Sequence, residues 1–112
     1  MTTVLIAIAA LLGLAAMVLP AFEVALELYD RAATLNPHVP FARIQKSDVL
    51  IQLGRGDEAL VILDAIEADL ADDDPGKPRV DCLRATALHS KDPKKAIELA
   101  AQACAAGEKM CC

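Results

Sequence analysis

The distribution of polar residues divides this chain into two parts with different hydrophobic patterns. No charged side chain occurs in the first 22 residues, and the stretch Val4–Leu19 is apolar without a break. From Glu23 onward, apolar residues recur among charged ones at intervals of three and four, as at Val24, Leu28 and Leu35. That period is typical of amphipathic helices and strand-forming residues are few, so the sequence predicts an all-α fold.

Turn-forming residues separate six predicted helices. Pro20 interrupts the first, Asn36-Pro37 ends the second, and Gly54-Arg55-Gly56 lies between the third and the fourth. An acidic connector with two prolines, residues 71–78, separates the fourth helix from the fifth. Asp57 and Asp92 are expected to cap the fourth and sixth helices, each of which begins directly after the aspartate or one residue later. The predicted helices, which form three antiparallel hairpins, are residues 1–19, 21–35, 41–53, 58–70, 79–90 and 94–106.

Three alanines occupy equivalent places, each near the start of the second helix of a predicted hairpin. Ala25, Ala59 and Ala96 are separated by 34 and 37 residues. The pattern resembles the tetratricopeptide repeat, a unit of about 34 residues with two antiparallel helices. The resembling positions are Leu12-Gly13, Ala25, Tyr29, Ala32 and Pro37 in the first unit, Leu53-Gly54, Asp57-Glu58-Ala59 and Leu63 in the second, and Leu83, Ala96 and Ala103 in the third.

The resemblance covers most of residues 6–106, with departures in the second unit. Lys46-Ser47 stands where the family has Leu-Gly, Ile66 replaces a later alanine, and Pro75 comes late. A hairpin this small cannot bury its apolar face alone, so the resemblance implies hairpins stacked as a short right-handed array of about three degenerate repeats. In that family the first helices line a concave groove, which implies these partner-binding residues: Arg43, Lys46, Leu50, Arg84 and His89.

The apolar start of the chain has two main interpretations. As a membrane helix, residues 1–22 would anchor a repeat domain of residues 23–112, since about 19 apolar residues nearly span a hydrocarbon core. Ala9, Gly13 and Ala16 form a small-residue stripe that favours close helix packing in membranes. Alternatively, the segment is the first helix of repeat one, with its outer side covered by another chain. A cleaved secretory signal is a third interpretation, but a basic leading region is missing.

The orientation of such an anchor follows only weakly from charge. No Lys or Arg precedes the segment, and Arg31 and Arg43 are the first to follow it. Under the positive-inside rule, this favours a cytoplasmic repeat domain. The predicted location is therefore a membrane, with the repeat domain on its cytoplasmic side.

Charge and motifs exclude several classes of function. Net charge is −5, which argues against nucleic acid as a partner. The charge is uneven: residues 1–76 carry a balance of −8 and residues 77–112 a balance of +3. Phosphate loops, dinucleotide fingerprints and nucleophile motifs are absent from the sequence, and Asp72, Asp73 and Asp74 lack the spacing of a calcium loop. We therefore expect no enzyme, no cofactor and no metal site.

Four cysteines leave their redox state open. Cys82 and Cys104 can meet across a helix pair and bridge in an oxidising compartment, but a free buried thiol is the expected state of each. Cys111 and Cys112 are candidates for lipidation or for a crosslink to a partner. Cys82 and His89 share a helix face, which is too few ligands for zinc.

These observations favour a non-catalytic interaction scaffold, a small membrane-anchored subunit of a larger membrane complex. Its partners would be proteins, together with the lipid bilayer around residues 1–22. The alternative is a soluble tetratricopeptide adaptor that buries its apolar N-terminal helix in a dimer or partner interface. A redox or metal protein acting through Cys111 and Cys112 is a third hypothesis.

Overall fold

The computed structural model describes the backbone of residues 2–112 and the side chains of residues 3–5 and 20–112. Over this range the chain is helical and contains no strand, which confirms the predicted all-α class. The order of elements is α1 (Thr2–Leu35), α2 (Phe41–Gln52), α3 (Gly56–Asp69), α4 (Lys77–Leu88), α5 (Pro93–Ala105) and a short 3₁₀ helix, Lys109–Cys111.

The predicted turn at Pro20 is wrong, because α1 runs from Thr2 to Leu35 with Pro20 inside it. Proline in a helix interior removes one amide donor and costs about 3 kcal/mol, but it does not by itself reverse the chain. Here the helix continues without interruption through Pro20, so the predicted first hairpin does not form.

The boundary predicted between residues 1–22 and 23–112 consequently falls inside one helix. Most side chains of the apolar segment, including the Ala9, Gly13 and Ala16 stripe, lie outside the described residues. Within the part of the chain that the structure describes, no helix has a stretch that is both long and apolar enough to cross a bilayer.

The two later hairpins, α2–α3 and α4–α5, form as predicted, and similar turns follow α2 and α5. Gly54 has a φ of 78° and Gly107 a φ of 99°, values that disfavour side chains with a Cβ. After α2 the Arg55 amide donates to the Leu50 carbonyl, and after α5 the Glu108 amide donates to Ala103. Such bonds satisfy carbonyls that a helix end leaves without partners.

Only one of the two predicted aspartate caps is present. The Asp92 side chain accepts a hydrogen bond from the Lys95 amide and caps α5. Asp57 instead lies in the first turn of α3, which begins at Gly56, so it contributes favourable charge there rather than a cap.

The core lies between the hairpins and repeats with a period of 37 residues. Ala59 and Ala96 are each the fourth residue of the second helix in a hairpin, and both are buried. Ile66 and Ala103, again 37 residues apart, are buried too. The small side chains of Ala59 and Ala96 allow the two helices of each hairpin to approach closely. The core cluster is Leu26, Ile44, Val49, Leu50, Ala59, Leu63, Ile66, Val80 and Leu83.

Two disulfides attach the segment Gly107–Cys112 to the last hairpin. Cys82 of α4 is bonded to Cys111, and Cys104 of α5 is bonded to Cys112. The expectation of free buried thiols is therefore wrong, and the alternative bridge between Cys82 and Cys104 does not form either. The turn at Gly107 brings the last residues back over the hairpin, so that each terminal cysteine reaches a different helix.

Candidate protein-binding surfaces

A charged cleft lies where α1 crosses α2 and the start of α3. Lys46 of α2 pairs with Asp30 of α1 at 2.6 Å. Arg55 lies 3.8 Å from Glu23 of α1 and 2.7 Å from Glu58 of α3. Its hydrogen bond to Glu58 raises the pKa of Arg55 and lowers the pKa of Glu58. These exposed pairs orient α1 but add little stability, because solvent screens them.

A second polar cluster joins α3 to α4 and is partly shielded from water. Lys77 forms an ion pair with Glu67, and Arg84 pairs with Asp64 at 3.1 Å and with Asp81 at 3.6 Å. Asp81 is 6% exposed. Burial, and then the nearby Glu67 carboxylate, raise the pKa of Asp81. This cluster holds two repeats together and leaves little surface for a partner.

An apolar groove of about 390 Å³ lies between α4, α5 and the C-terminal segment. Ile97 and Met110 are both 70% exposed at this groove. Arg79 holds the segment in place: one of its guanidinium nitrogens contacts the Met110 sulfur, and another pairs with Asp48 of α2 at 3.0 Å. The groove residues, which we call the C-terminal groove, are Ala85, Thr86, His89, Ala96, Ile97, Ala100, Met110 and Cys111.

A second apolar surface lies at the opposite end of the array, on the outer side of α1. The inner side of α1 packs on the core through Phe22, Leu26 and Tyr29. The outer side presents Val24 and Leu28, both 56% exposed, and Leu35, the last residue of the helix. We call Val24, Leu28 and Leu35 the α1 stripe. Apolar residues grouped on one exposed helix face often mark an interaction site.

The five residues predicted to line one concave groove do not converge. Leu50 lies beside Lys46 at the charged cleft, but it is only 1% exposed and belongs to the core, because α1 and α3 cover that side of α2. Arg43 is half-buried, and its Nε has no hydrogen-bond partner in the described residues. Lys46 lies in the charged cleft, Arg84 in the α3–α4 cluster, and His89 at the C-terminal groove. A partner-binding role for the four accessible or half-buried residues stays a prediction.

The exposed residues that sequence reasoning missed are Ile97 and Met110. The 37-residue period could have identified Ile97, because Ile97 is the counterpart of Leu60, which the following helix half-buries. Met110 becomes part of a surface only because the disulfides fold the last residues onto the hairpin, which no local pattern indicates.

A family model described as tetratricopeptide repeat matches residues 21–77, half of the chain. The chain belongs to the tetratricopeptide-repeat family. The match begins directly after Pro20 and extends through α2 and α3 to the first residue of α4, so it excludes residues 1–20. Neither curated proteins nor solved structures match this chain. Tetratricopeptide repeats are typically non-catalytic protein-interaction modules, and the described residues contain no cluster of potential metal ligands.

Proposed function

We propose that this tetratricopeptide-repeat chain is a non-catalytic scaffold that binds other proteins through the two ends of its helix array. The observation that carries the proposal is the grouping of exposed apolar residues at two surfaces, the α1 stripe and the C-terminal groove. A repeat array exposes such faces at its ends, because each unit is stabilised only by its neighbours.

The proposal extends to attachment at a membrane through residues 1–22. Its support is the uncharged composition of that segment and the continuity of α1, which joins the segment rigidly to the repeat domain. The chain would then be a subunit of a membrane complex. The competing proposal is a soluble adaptor whose apolar segment is buried against a protein partner.

We further propose that the repeat domain lies in an oxidising compartment. The sequence alone favoured the cytoplasmic side from the positions of Arg31 and Arg43, but the two disulfides support the opposite side. Disulfides persist in secreted, periplasmic and lumenal proteins and are rare in reducing cytosol. The geometry that brings all four cysteines into two pairs outweighs a charge bias of two arginines.

A pull-down from mild detergent, analysed by mass spectrometry, tests the interaction function. The full chain is compared with Ile97→Glu in the C-terminal groove and Leu28→Glu in the α1 stripe. Val61→Glu is the matched control, since Val61 is 73% exposed on α3 and belongs to neither surface. We expect at least one partner, at fixed stoichiometry, to be lost with a surface variant and kept with the control. Identical recovery from all four proteins would refute the proposal.

The predicted groove residues are tested in the same experiment. Lys46→Ala and His89→Ala each remove an accessible side chain without creating a buried charge. Loss of a partner with either variant would assign that residue to binding, and unchanged recovery would remove it from the candidates.

Alkaline carbonate extraction of cell membranes tests the anchor. We expect the full chain to stay in the membrane pellet and a Leu11→Arg, Leu14→Arg variant to be released, because each charge at the centre of a membrane helix costs about 2.5–3.5 kcal/mol. A full chain that is soluble without detergent would refute the anchor and support the soluble adaptor.

Thiol labelling tests the compartment. Cells are quenched in acid and then treated with a maleimide polymer before and after reduction. We expect no labelling before reduction and four labels per chain after it, one for each cysteine. Four labels before reduction would place the chain in a reducing compartment.

A further inference from the structure

The last hairpin exposes a surface that the preceding hairpin buries. Asp64 and Glu67 of α3 bind Arg84 and Lys77 of α4, so α4 covers the face of α3 that also carries Leu60 and Leu63. A shift of 37 residues moves that face onto α5, at Ile97, Ala100, Ala101 and Cys104. No α-helix of the described chain covers the α5 face, which only the short 3₁₀ segment Lys109–Cys111 contacts, and Ile97 stays exposed where Leu60 is half-buried.

The C-terminal segment occupies only the beginning of the corresponding site. Cys112 bonds to Cys104, the counterpart of Glu67, and Glu67 pairs with the first residue of α4, Lys77. The segment thus stands where the first turn of a following helix would stand. The C-terminal groove is the rest of that site, and it continues the interface already formed between α3 and α4.

The opposite end of the array offers a helix that fits this site. Leu28 and Leu35 of the α1 stripe are exposed on the side of α1 opposite its core-packing residues, and Val24 lies at the edge of the charged cleft. The described part of α1 from Pro20 to Leu35 carries three acidic residues, Glu23, Glu27 and Asp30, and one base, Arg31. All three acids are in ion pairs within the chain, with Arg55, Arg31 and Lys46, and because Arg55 is shared with Glu58 only a small net negative charge remains beside the stripe.

The C-terminal end carries the complementary charge. Lys94 and Lys95 lie in the first turn of α5, next to Ile97, and neither forms a salt bridge with any residue whose side chain is described. Residues 77–112 have a balance of +3, against −8 for residues 1–76. Opposite charges on two surfaces steer association and select orientation.

We propose that the occupant of the C-terminal groove is a second copy of this chain, whose α1 stripe lies in the groove. This inference rests on the proposed interaction function and names one partner for it. The contact joins different surfaces on the two copies, so it is heterologous and leaves one stripe and one groove free for further copies. The chain would accordingly assemble end to end, as an open series or a closed ring.

Sedimentation velocity of the purified full chain in non-ionic detergent micelles tests this assembly over a hundredfold range of concentration. We expect the mass to rise with concentration for the wild type and for Val61→Glu. Ile97→Glu and Leu28→Glu should each weaken association at least about tenfold, because each places a carboxylate where an apolar side chain is buried. Circular dichroism and thermal unfolding verify that every variant is folded.

Mixing the two variants separates this arrangement from other modes of dimerisation. Ile97→Glu keeps an intact α1 stripe and Leu28→Glu keeps an intact groove, so an equimolar mixture should form a 1:1 dimer that grows no further. A wild type that stays monomeric, a mixture that does not associate, or Ile97→Glu that associates as well as the wild type would each overturn the inference. The last result would indicate pairing through α1 or through the apolar segment. Since only purified chain is used, a monomeric result would leave binding to other proteins intact.

Discussion

Removing the disulfides should destabilise the repeat domain unequally, with the larger loss at Cys82–Cys111. A disulfide restricts the unfolded chain in proportion to the logarithm of the loop that it closes. The Cys82–Cys111 bond spans 29 residues and the Cys104–Cys112 bond spans 8. The chain-entropy relation then gives about 3.6 kcal/mol for the longer loop and about 2.5 kcal/mol for the shorter one. Whole domains are stable by about 5–15 kcal/mol, so either loss is large.

The assay is urea unfolding of the full chain in detergent micelles, followed by circular dichroism. The variants are Cys82→Ala with Cys111→Ala, and Cys104→Ala with Cys112→Ala, each of which keeps the other bond. We expect the first pair to lower the free energy of unfolding by about 1 kcal/mol more than the second. Cys82 is also buried, which adds a small packing loss to the first pair. Equal effects, or a larger loss from the shorter loop, would refute the loop argument, and no loss from either pair would mean that the bonds do not form.

Three further predictions concern single residues, each measured by urea unfolding. Asp81→Asn should gain stability relative to the wild type, by up to about 1 kcal/mol, as the pH rises from 3 to 7. The pKa of Asp81 is raised in the folded state, so the wild type loses stability as pH rises through that pKa, whereas asparagine does not titrate. A stability difference between variant and wild type that stays constant or falls with pH would contradict this reasoning. Leu63→Ala should cost about 2–5 kcal/mol because Leu63 is fully buried, while Val61→Ala on the same helix should stay within about 0.5 kcal/mol; similar losses at the two sites would show that Leu63 is not a core residue. Gly54→Ala should cost about 1 kcal/mol, since alanine disfavours the φ of 78° at that turn. A stabilised variant would show that residue 54 does not have a positive φ.

The sequence predicted the two complete hairpins closely because their signals are local. Between Phe41 and Ala105, the observed helix ends lie within about two residues of the predicted ones. Apolar residues at intervals of three and four define each helix, and Gly54, Pro93 and Gly107 define where helices begin or end. The alanine pattern also indicated the family correctly, since close helix packing requires small residues at fixed places.

The candidate sites were less predictable, because each depends on which elements meet in space. Leu50 has the same apolar character whether it lines a groove or fills the core, and only the position of α1 decides between the two. The cysteine partners were equally undetermined, since four cysteines allow three pairings and spacing does not choose among them.

The sequence by itself determined that this chain is helical and that its hairpins repeat. Those properties follow from residue type and period, which act over one or two helical turns. Tertiary structure alone decided that α1 continues through Pro20, that the last six residues fold back onto α4 and α5, and that two apolar surfaces stay exposed at opposite ends. These outcomes depend on contacts between residues far apart in the chain, and local sequence patterns do not determine the free energies of such contacts.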